Sequence, residues 1–240
     1  MKIALIGYGK MGKAIEQIAQ ANGHEIVLRI SIENTKDFTI EAVQKADVAI
    51  EFTGPESAFE NIKKCFEAGV SVVSGSTGWL KNLPEIQQAA IDNNVAFLYA
   101  SNFSIGVNLF FELNNYLAGL MKAYKGYNPS ITEIHHLEKK DAPSGTAITL
   151  AEQIMKVYTE KEEWVNYASD KKDKLEIISE REENVPGTHT VSFHSEIDDI
   201  AITHTAHNRK GFASGAVLAA EFINGKKGVF SMREVLFGAQ

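Results

Sequence analysis

The chain of 240 residues contains one cysteine, Cys65, and therefore cannot form an intrachain disulfide. It has no excess of positive charge, and its net charge of −7 argues against a nucleic-acid coat, because phosphate binding needs a concentrated basic surface. No apolar run approaches membrane-spanning length, and the run Met1–Ile6 ends in glycine rather than in a signal-peptide cleavage segment. We therefore expect a cytoplasmic protein that binds neither nucleic acid nor membrane.

What remains is an ordinary globular composition, with 44% hydrophobic and 23% charged residues. Cys65 lies in a segment, Ser57–Ala68, whose apolar residues repeat at helical spacing. We expect Cys65 to be a small buried residue, with a catalytic thiol as the alternative.

Short β-type runs alternate with helical patterns over the first hundred residues. The predicted strands are Ile3–Ile6, Ile26–Ile30, Val48–Phe52, Val70–Ser74 and Val95–Tyr99, and the predicted helices are Lys13–Ala21, Ser57–Ala68 and Pro84–Asn93. Apolar strands that alternate with helices predict a doubly wound parallel sheet of Rossmann type, covered on both faces.

The pattern changes after about residue 103 and then predicts an inserted α+β domain. Its predicted helices are Asn108–Lys122 and Ser144–Tyr158, and its predicted strands are Ser130–His136, Leu175–Ser179, His189–His194 and Ile200–Ala206. The polar stretch Thr159–Lys174 is predicted to be a loop or a partly solvated helix. A helix, Ala213–Ile223, and a short end, Gly228–Phe237, return to the first domain.

A glycine fingerprint follows the first strand and opens the first helix. It has the form G-x-G-x-x-G and consists of Gly7, Tyr8, Gly9, Lys10, Met11 and Gly12. The glycines let the backbone approach a pyrophosphate, and the helix N-terminus offers it N–H groups and partial positive charge. We predict a dinucleotide site here; a glycine turn without a ligand is the alternative.

The end of the second strand leaves the choice between NADH and NADPH open. An acid there hydrogen-bonds the 2′-hydroxyl of NAD, whereas a basic residue accepts the 2′-phosphate of NADP. This chain has Ser31 at that position, with Arg29 and Glu33 on either side. The absence of an acid slightly favours NADPH, or the use of both coenzymes. The alternative is that Arg29 and Glu33 are plain surface residues with no role in binding.

Three further loops follow strands, where a doubly wound sheet places ligand contacts. One is Phe52-Thr53-Gly54-Pro55, the second contains Gly75, Ser76, Thr77 and Gly78, and the third contains Ala100, Ser101, Asn102 and Phe103. Their small and hydroxylated residues permit close approach of a cofactor, although turns are rich in such residues anyway.

The segment Glu133–Ala147 concentrates residues that can move protons and bind anions. A histidine titrates near neutrality, and a lysine supplies a charge or a second proton. The turn Ser144-Gly145-Thr146 opens a helix whose N–H groups can bind a carboxylate, or it is only a helix cap. We expect no metal, since the His135–His136 pair lacks zinc-ligand spacing and Cys65 is the only cysteine.

These motifs, in this order, resemble those of the dihydrodipicolinate reductase family, now named 4-hydroxy-tetrahydrodipicolinate reductase. The most specific is the element His-His-x-x-Lys-x-Asp-Ala-Pro-Ser-Gly-Thr-Ala, which is complete at His135–Ala147. Thr205–Ala216 and Gly228–Val235 are similar to the family's C-terminal motifs, so the resemblance spans almost the whole chain. Departures are Ser31 for the usual acid, Ser76 where threonine is common, and short loops around Lys36–Glu41 and Thr159–Lys174.

The resemblance implies reduction of 4-hydroxy-tetrahydrodipicolinate, via dihydrodipicolinate, to tetrahydrodipicolinate in diaminopimelate and lysine biosynthesis, with NADPH or NADH. It implies that His135 handles a proton and Lys139 donates a second one. It implies that His136, Gly145, Thr146 and Arg209 bind a small dicarboxylate imine. It also implies a homotetramer built through the sheet of the substrate domain.

We therefore expect a dinucleotide-binding domain of 1–103 plus 211–240. A substrate-binding and oligomerisation domain of 104–210 is inserted in it, with substrate in the cleft between them. Two other functions remain open: another small Rossmann-fold reductase, such as an aspartate-semialdehyde or homoserine dehydrogenase, and an NAD(P)-sensing regulator. A catalytic cysteine would favour an aspartate-semialdehyde type, whereas a regulator has no need of His135 together with Lys139.

Overall fold

The computed structural model describes residues 1–208 and 210–238. The chain divides into two compact units. Unit 1 comprises Met1–Ile105 and Lys210–Gln240, and unit 2 comprises Gly106–Arg209.

Unit 1 is built around a six-stranded sheet in which every pair of neighbours is parallel. Its strands are β1 (Lys2–Ile6), β2 (Glu25–Ile30), β3 (Val48–Glu51), β4 (Ser71–Ser74), β5 (Ala96–Tyr99) and β11 (Gly228–Phe230). Its helices are α1 (Lys10–Ala21), α2 (Ile40–Val43), α3 (Ala58–Glu67), α4 (Leu83–Asp92), α7 (Lys210–Ile223) and α8 (Met232–Phe237), with 3-10 turns at Thr35–Asp37 and Leu80–Asn82. The predicted doubly wound parallel sheet is confirmed.

The sheet order β11-β5-β4-β3-β1-β2 creates a reversal of winding beside β1. From β1 the chain runs to one side into β2 and then returns to the other side into β3. In open α/β sheets a crevice opens at the carboxyl ends of the strands at such a point, and ligands bind there. The loops that follow Ile6 and Glu51 lie at this edge.

Both faces of the sheet are buried in apolar side chains. One core contains Val72, Phe97 and Phe66 with their neighbours on α3 and α4. The other contains Ile3, Leu5 and Ile50 with residues of α1 and α7. Each buried aliphatic side chain contributes about 1.5–3 kcal/mol relative to exposure, so this double covering fixes the strand ends that carry the loops.

Unit 2 holds a mixed five-stranded sheet in the order β10-β9-β6-β8-β7. Its strands are β6 (Asn128–His135), β7 (Glu163–Val165), β8 (Lys174–Arg181), β9 (Gly187–His194) and β10 (Asp199–Ala206), and its helices are α5 (Ile105–Met121) and α6 (Gly145–Val157). Alternate residues of β6 and β9, such as Ile131 and Val191, face a core shared with both helices.

One local expectation was wrong. The stretch Thr159–Lys174 contains the short strand β7, which pairs in parallel with β8 through Trp164 and Leu175. Three residues are too few to show an alternation in a polar sequence, so the pattern could not reveal this strand. The segment Lys36–Glu41 carries the end of a 3-10 turn and the first residues of α2, which Thr39 caps by accepting the N–H of Ala42.

Candidate active site

The glycine fingerprint forms a turn in which Gly7 and Gly12 have no room for a side chain. Gly7 has φ +104, and a Cβ on it would lie 2.1 Å from the carbonyl oxygen of Phe52. A Cβ on Gly12 would lie 2.4 Å from the carbonyl oxygen of Gly7. The backbone N–H groups of Gly7 and Tyr8 both donate to the carbonyl of Ile30, at 2.9 and 2.7 Å. Helix α1 then begins at Lys10, with Gly9 as its N-cap, as a pyrophosphate cradle requires.

A fully buried carboxylate, Glu51, fixes two of the neighbouring loops. It accepts hydrogen bonds from Ser74 Oγ at 2.6 Å, from Ser76 Oγ at 2.7 Å and from the N–H of Thr53 at 2.9 Å. The Thr53 N–H also donates to Ser76 Oγ at 2.8 Å. The Ser76 hydroxyl is therefore occupied by contacts inside the protein, and only the backbone of Ser76 is left to contact a ligand. The neighbouring Thr77 is exposed.

The polar residues at the end of β2 make hydrogen bonds and an ion pair within unit 1. Ser31 donates through its N–H and its hydroxyl to Asn34 Oδ1, at 2.7 and 3.1 Å. The Arg29 guanidinium pairs with Glu16 on α1, which also accepts the hydroxyl of Tyr8. The hydrogen bond from Arg29 lowers the pKa of the Glu16 carboxyl. Arg29 is therefore engaged rather than available for a 2′-phosphate.

The loop after β5 packs closely against helix α7. Phe103 is buried and stacks obliquely on Phe52, with ring centroids 5.6 Å apart. A Cβ on Gly215 of α7 would lie 1.7 Å from the carbonyl oxygen of Phe103. Ala100 and Asn102 are half-buried and Ser101 is exposed, so these three remain the members of the loop within reach of a ligand.

In unit 2, the buried face of β6 carries Ile131, Glu133 and His135 in alternation. The strand register places Glu133 between Ser179 of β8 and His189 of β9. Glu133 accepts Ser179 Oγ at 2.7 Å and the backbone N–H of Ser144 at 3.0 and 3.1 Å. Burial alone would raise the pKa of this carboxyl, but hydrogen bonds from His189, Ser144 and Ser179 outweigh it and lower the pKa to about 2.

His135 is buried at the end of β6, with 9% of its side chain exposed. Its Nδ1 lies 3.5 Å from Glu133 Oε2, and its ring meets that of His189 edge to face at 5.0 Å. Burial is the main cause that lowers its pKa, to about 4, and the charge of His189 lowers it further while that of Glu133 raises it. The ring is therefore neutral at pH 7 in the free protein.

Lys139 lies in the turn after β6 and pairs with Asp141, with both carboxylate oxygens 2.8 Å from Nζ. Arg181 of β8 stabilises this turn, because its side chain donates to the backbone carbonyls of Asp141, at 2.8 Å, and of Lys139, at 3.4 Å. The ammonium of Lys139 is therefore held by Asp141, on a turn that Arg181 holds in place.

Helix α6 begins at Gly145 with Ser144 as its N-cap, and Ser144 Oγ accepts the N–H of Ala147 at 3.2 Å. Gly145 and Thr146 form the first turn, whose N–H groups point out of a helix toward any bound anion. Gly145 is exposed, and Thr146 and His136 are half-buried. Arg209, predicted to help bind a carboxylate, lies outside the described residues.

Sequence reasoning missed five residues that shape these sites. They are Glu16, Glu51, Glu133, Arg181 and His189. A signal existed for Glu51 and Glu133, since each is a carboxylate at a core-facing position of an apolar strand, where it requires partners. No local signal joins His189 to His135, because only the strand register brings them together.

Cys65 is fully buried, and burial raises the pKa of its thiol to about 12. It is the inert residue expected, not a nucleophile. Among the residues described, Glu133, His135 and His189 form a group whose donor atoms all lie within 4.8 Å of one another. Within the same residues, none of the helices is both long and apolar enough to cross a membrane.

Comparison with known proteins matches nearly the whole chain to one family. Residues 1–103 match the family model for the N-terminus of dihydrodipicolinate reductase, and residues 106–236 match the model for its C-terminus. A 4-hydroxy-tetrahydrodipicolinate reductase from Christiangramia forsetii is 50% identical over 240 residues, which cover 98% of each chain. A protein of the same name from Methanopyrus kandleri is 38% identical over 81% of this chain and 73% of its own.

A solved structure agrees with the sequence relatives. The dipicolinate-bound dihydrodipicolinate reductase from Paenisporosarcina sp. TG-14 is 26% identical and superposes with a TM-score of 0.78, over 98% of both chains.

Proposed function

Because the chain belongs to the dihydrodipicolinate reductase family, we propose that unit 1 binds the nicotinamide cofactor and that unit 2 binds and protonates the substrate. The protein is an oxidoreductase that reduces 4-hydroxy-tetrahydrodipicolinate, via dihydrodipicolinate, to tetrahydrodipicolinate in diaminopimelate and lysine biosynthesis. Particular side chains and backbone groups of the two units account for the binding and proton-transfer steps of this reaction.

One observation supports the assignment most strongly. The buried carboxylate of Glu133 contacts both Nδ1 of His135, at 3.5 Å, and the backbone N–H of Ser144, at 3.0 Å. A proton-handling ring and a helix N-terminus that can bind a carboxylate are thus joined through one group. A substrate that carries two carboxylates and is protonated at a carbon atom needs both a proton donor and an anion-binding group.

His135 and Lys139 divide the proton chemistry. When bound, the reduced nicotinamide supplies hydride to the conjugated imine. The enamine-like carbon that results must be protonated, and His135 is the group that holds and delivers this proton. Lys139, once the substrate displaces Asp141, holds a second proton and a positive charge beside the substrate. General acid catalysis of this kind contributes about 10²–10⁴-fold.

The substrate's carboxylates are bound by the start of α6. Gly145 and Thr146 present helix N-terminal N–H groups, and Gly145 has nothing within 4 Å of where a Cβ would lie, so an anion can approach closely. His136 follows His135 in the chain and adds a polar contact in this proposal. Arg209 completes the set in this proposal.

The cofactor site fits a dinucleotide, because the turn at Gly7 and Gly12 has no room for side chains and leads directly into α1. Tyr8, Gly9, Lys10 and Met11 line this turn, and the loops at Gly75–Thr77 and Ala100–Phe103 flank it in the proposed site. We infer use of both NADH and NADPH, since Ser31 carries no charge to repel a 2′-phosphate and Arg29 is engaged by Glu16.

The assembly and location are inferred from the same family membership. We propose a homotetramer formed through the outer face of the unit 2 sheet, where Thr203 and Thr205 are exposed. Light scattering on the purified protein tests this, with a monomer as the contradicting result. A cytoplasmic location is supported by the single buried thiol, which needs no oxidising compartment.

Calorimetry with dipicolinate tests the placement of the substrate site. We expect the wild-type protein to bind it, and Gly145→Val to weaken binding at least ~10-fold because a side chain there obstructs the helix N-terminus. Thr159→Val, at an exposed position beyond the end of α6, is the matched control. Equal affinities of all three proteins would contradict the placement.

A further inference from the structure

Four strands contribute polar side chains to the interior of unit 2 near the proposed proton donor. Glu133 on β6 faces Ser179 on β8 and His189 on β9, and His189 in turn pairs in register with His204 on β10. Nε2 of His189 lies 3.0 Å from Ser144 Oγ and 3.6 Å from Glu133 Oε2. Of these groups, the Glu133 carboxylate and the His189 ring lie beside the ring of His135.

The two ring nitrogens of His135 have different surroundings. Among the residues described, Nδ1 is buried without a hydrogen-bond partner at normal distance, and the Glu133 carboxylate lies 3.5 Å from it. Nε2 lies at the opposite end of the ring, beside Gly187 of β9. A Cβ on Gly187 would lie only 3.0 Å from Nε2, so glycine leaves that nitrogen uncovered.

A carboxylate next to one ring nitrogen of a histidine favours the tautomer with the proton on that nitrogen. Glu133 is suited to this role because it is ionised and fully buried, and because its oxygens are held by Ser144 and Ser179. Its charge also stabilises the ring when Nε2 gains a second proton. The histidine then takes up and delivers protons only through the uncovered nitrogen.

We propose that Glu133 and His189 are positioning residues for His135: the Glu133 carboxylate keeps a proton on Nδ1, so that Nε2 is the atom that exchanges protons with the substrate. Nε2 of His189 lies 3.6 Å from the same carboxylate oxygen and within hydrogen-bonding distance of Ser144 Oγ, the residue whose N–H the carboxylate accepts. This inference rests on the proposed role of His135 as the proton donor.

Neighbouring charges act on the pKa of His135 in opposite directions. The charge of Glu133 raises the pKa of His135, whereas those of His189, Lys139 and Arg181 lower it. Removal of Glu133 and removal of His189 should therefore shift the titration of the same ring in opposite senses. Loss of local structure has no reason to produce opposite shifts, so their signs separate positioning from a structural role.

A metal site is the rival use of the same atoms, since Glu133, His135 and His189 are a common ligand set. The hydrogen bonds argue for positioning instead. Both oxygens of Glu133 already accept the Ser144 N–H, and Nε2 of His189 lies within hydrogen-bonding distance of Ser144 Oγ. A metal ion would have to displace these contacts.

The test is nuclear magnetic resonance of histidine ring nitrogens in the full-length protein, with variants Glu133→Gln and His189→Gln. We expect the wild-type His135 ring to carry its proton on Nδ1 at pH 7. In Glu133→Gln we expect the population of the Nε2–H tautomer of His135 to increase and the pKa of His135 to fall. In His189→Gln we expect that pKa to rise. His194→Gln, on the same strand as His189 but exposed, is the matched control and should leave His135 unchanged.

The kinetic arm uses the same variants. In Glu133→Gln, kcat should fall at least ~10-fold while the limb of its pH profile that reports protonation of His135 moves to lower pH. Glu133→Asp, which restores the charge, should recover part of the rate. An Nε2–H tautomer in the wild type overturns the proposal. This measurement is made on the wild-type protein and does not depend on the folding of any variant.

Two further outcomes also overturn it. One is a shift of the same sign in Glu133→Gln and His189→Gln. The other is Zn²⁺ binding at micromolar concentration that disappears in Glu133→Gln, because the ring nitrogens would then be ligands. Failure of the proposed function would look different: the Nδ1–H tautomer would be present, but the protein would not turn over substrate.

Discussion

The carboxylate of Glu133 accepts the backbone N–H of Ser144, at 3.0 Å from Oε1 and 3.1 Å from Oε2. This contact ties the strand that ends in His135 to the residue that caps α6. The proton donor and the proposed carboxylate cradle are therefore held by one buried group. A buried carboxylate with several donors is expensive to disrupt, since each unsatisfied buried polar group costs about 1–3 kcal/mol.

Binding of a dicarboxylate should raise the pKa of His135. In the free protein burial and nearby positive charge lower it to about 4, so the ring is neutral at pH 7. Two added negative charges favour the imidazolium form and bring the group closer to the pH at which it must donate. Titration of the His135 ring resonances with and without dipicolinate measures this. An unchanged or lower pKa in the complex would contradict the account.

The same groups predict loss of stability in acid. The pKa of His135 is lowered from 6.5 to about 4, and that of Glu133 from 4.5 to about 2. As pH falls, the unfolded chain therefore binds protons at these two groups before the folded chain does. The stabilisation that the two groups contribute is fully present above pH 6.5 and is lost as pH falls toward 2. Thermal unfolding as a function of pH should show this loss. His135→Gln should flatten its upper part, and Glu133→Gln its lower part. Identical curves for the three proteins would contradict the prediction.

Glu51→Gln should weaken cofactor binding. The amide of glutamine places a donor against the hydroxyls of Ser74 and Ser76, and the loops after β3 and β4 lose their common acceptor. We expect the dinucleotide Kd to rise several-fold and the free energy of unfolding to fall by about 1–3 kcal/mol. Fluorescence titration and denaturant unfolding measure the two effects. Glu67→Gln, an exposed acid on α3, is the control, and a Glu51→Gln protein that behaves like it would count against the role given to Glu51.

Glu16→Ala should shift coenzyme preference toward NADPH. Arg29 now pairs with Glu16, and without that partner its guanidinium can turn to a 2′-phosphate. Since a hydrogen bond to a charged group contributes about 1.5–3 kcal/mol, the NADPH to NADH ratio of kcat/KM should rise about tenfold or more. Glu25→Ala removes an exposed acid from the other end of β2 and controls for net charge. A ratio that does not change in Glu16→Ala would show that Arg29 lies out of reach.

The sequence predicts the parts of this molecule that depend on local pattern. The apolar strand Lys2–Ile6 followed by Gly7 and Gly12 indicates the sheet and its turn from the sequence alone. The run Ser130–His136 likewise predicted a strand, which the structure has as β6, Asn128–His135. In both cases the periodicity of the backbone carries the information.

The parts that escaped prediction depend on register between distant strands. His189 meets His135 because β9 pairs with β6 in one register, and a shift by one residue would turn it to the opposite face. The sequence around Arg29 shows no partner for its charge, and Arg29 reaches Glu16 only because α1 packs on β2. Neither contact has a counterpart in spacing or composition.

The central claim is that this chain reduces its substrate with His135 and Lys139 as the proton-handling groups. The direct measurement monitors oxidation of NADPH and of NADH with freshly made product of dihydrodipicolinate synthase. We expect turnover by the wild-type protein with both coenzymes, and kcat lowered roughly a hundredfold or more in His135→Ala and in Lys139→Ala. Absence of turnover by the wild type, or near-normal kcat in both variants, would contradict the claim.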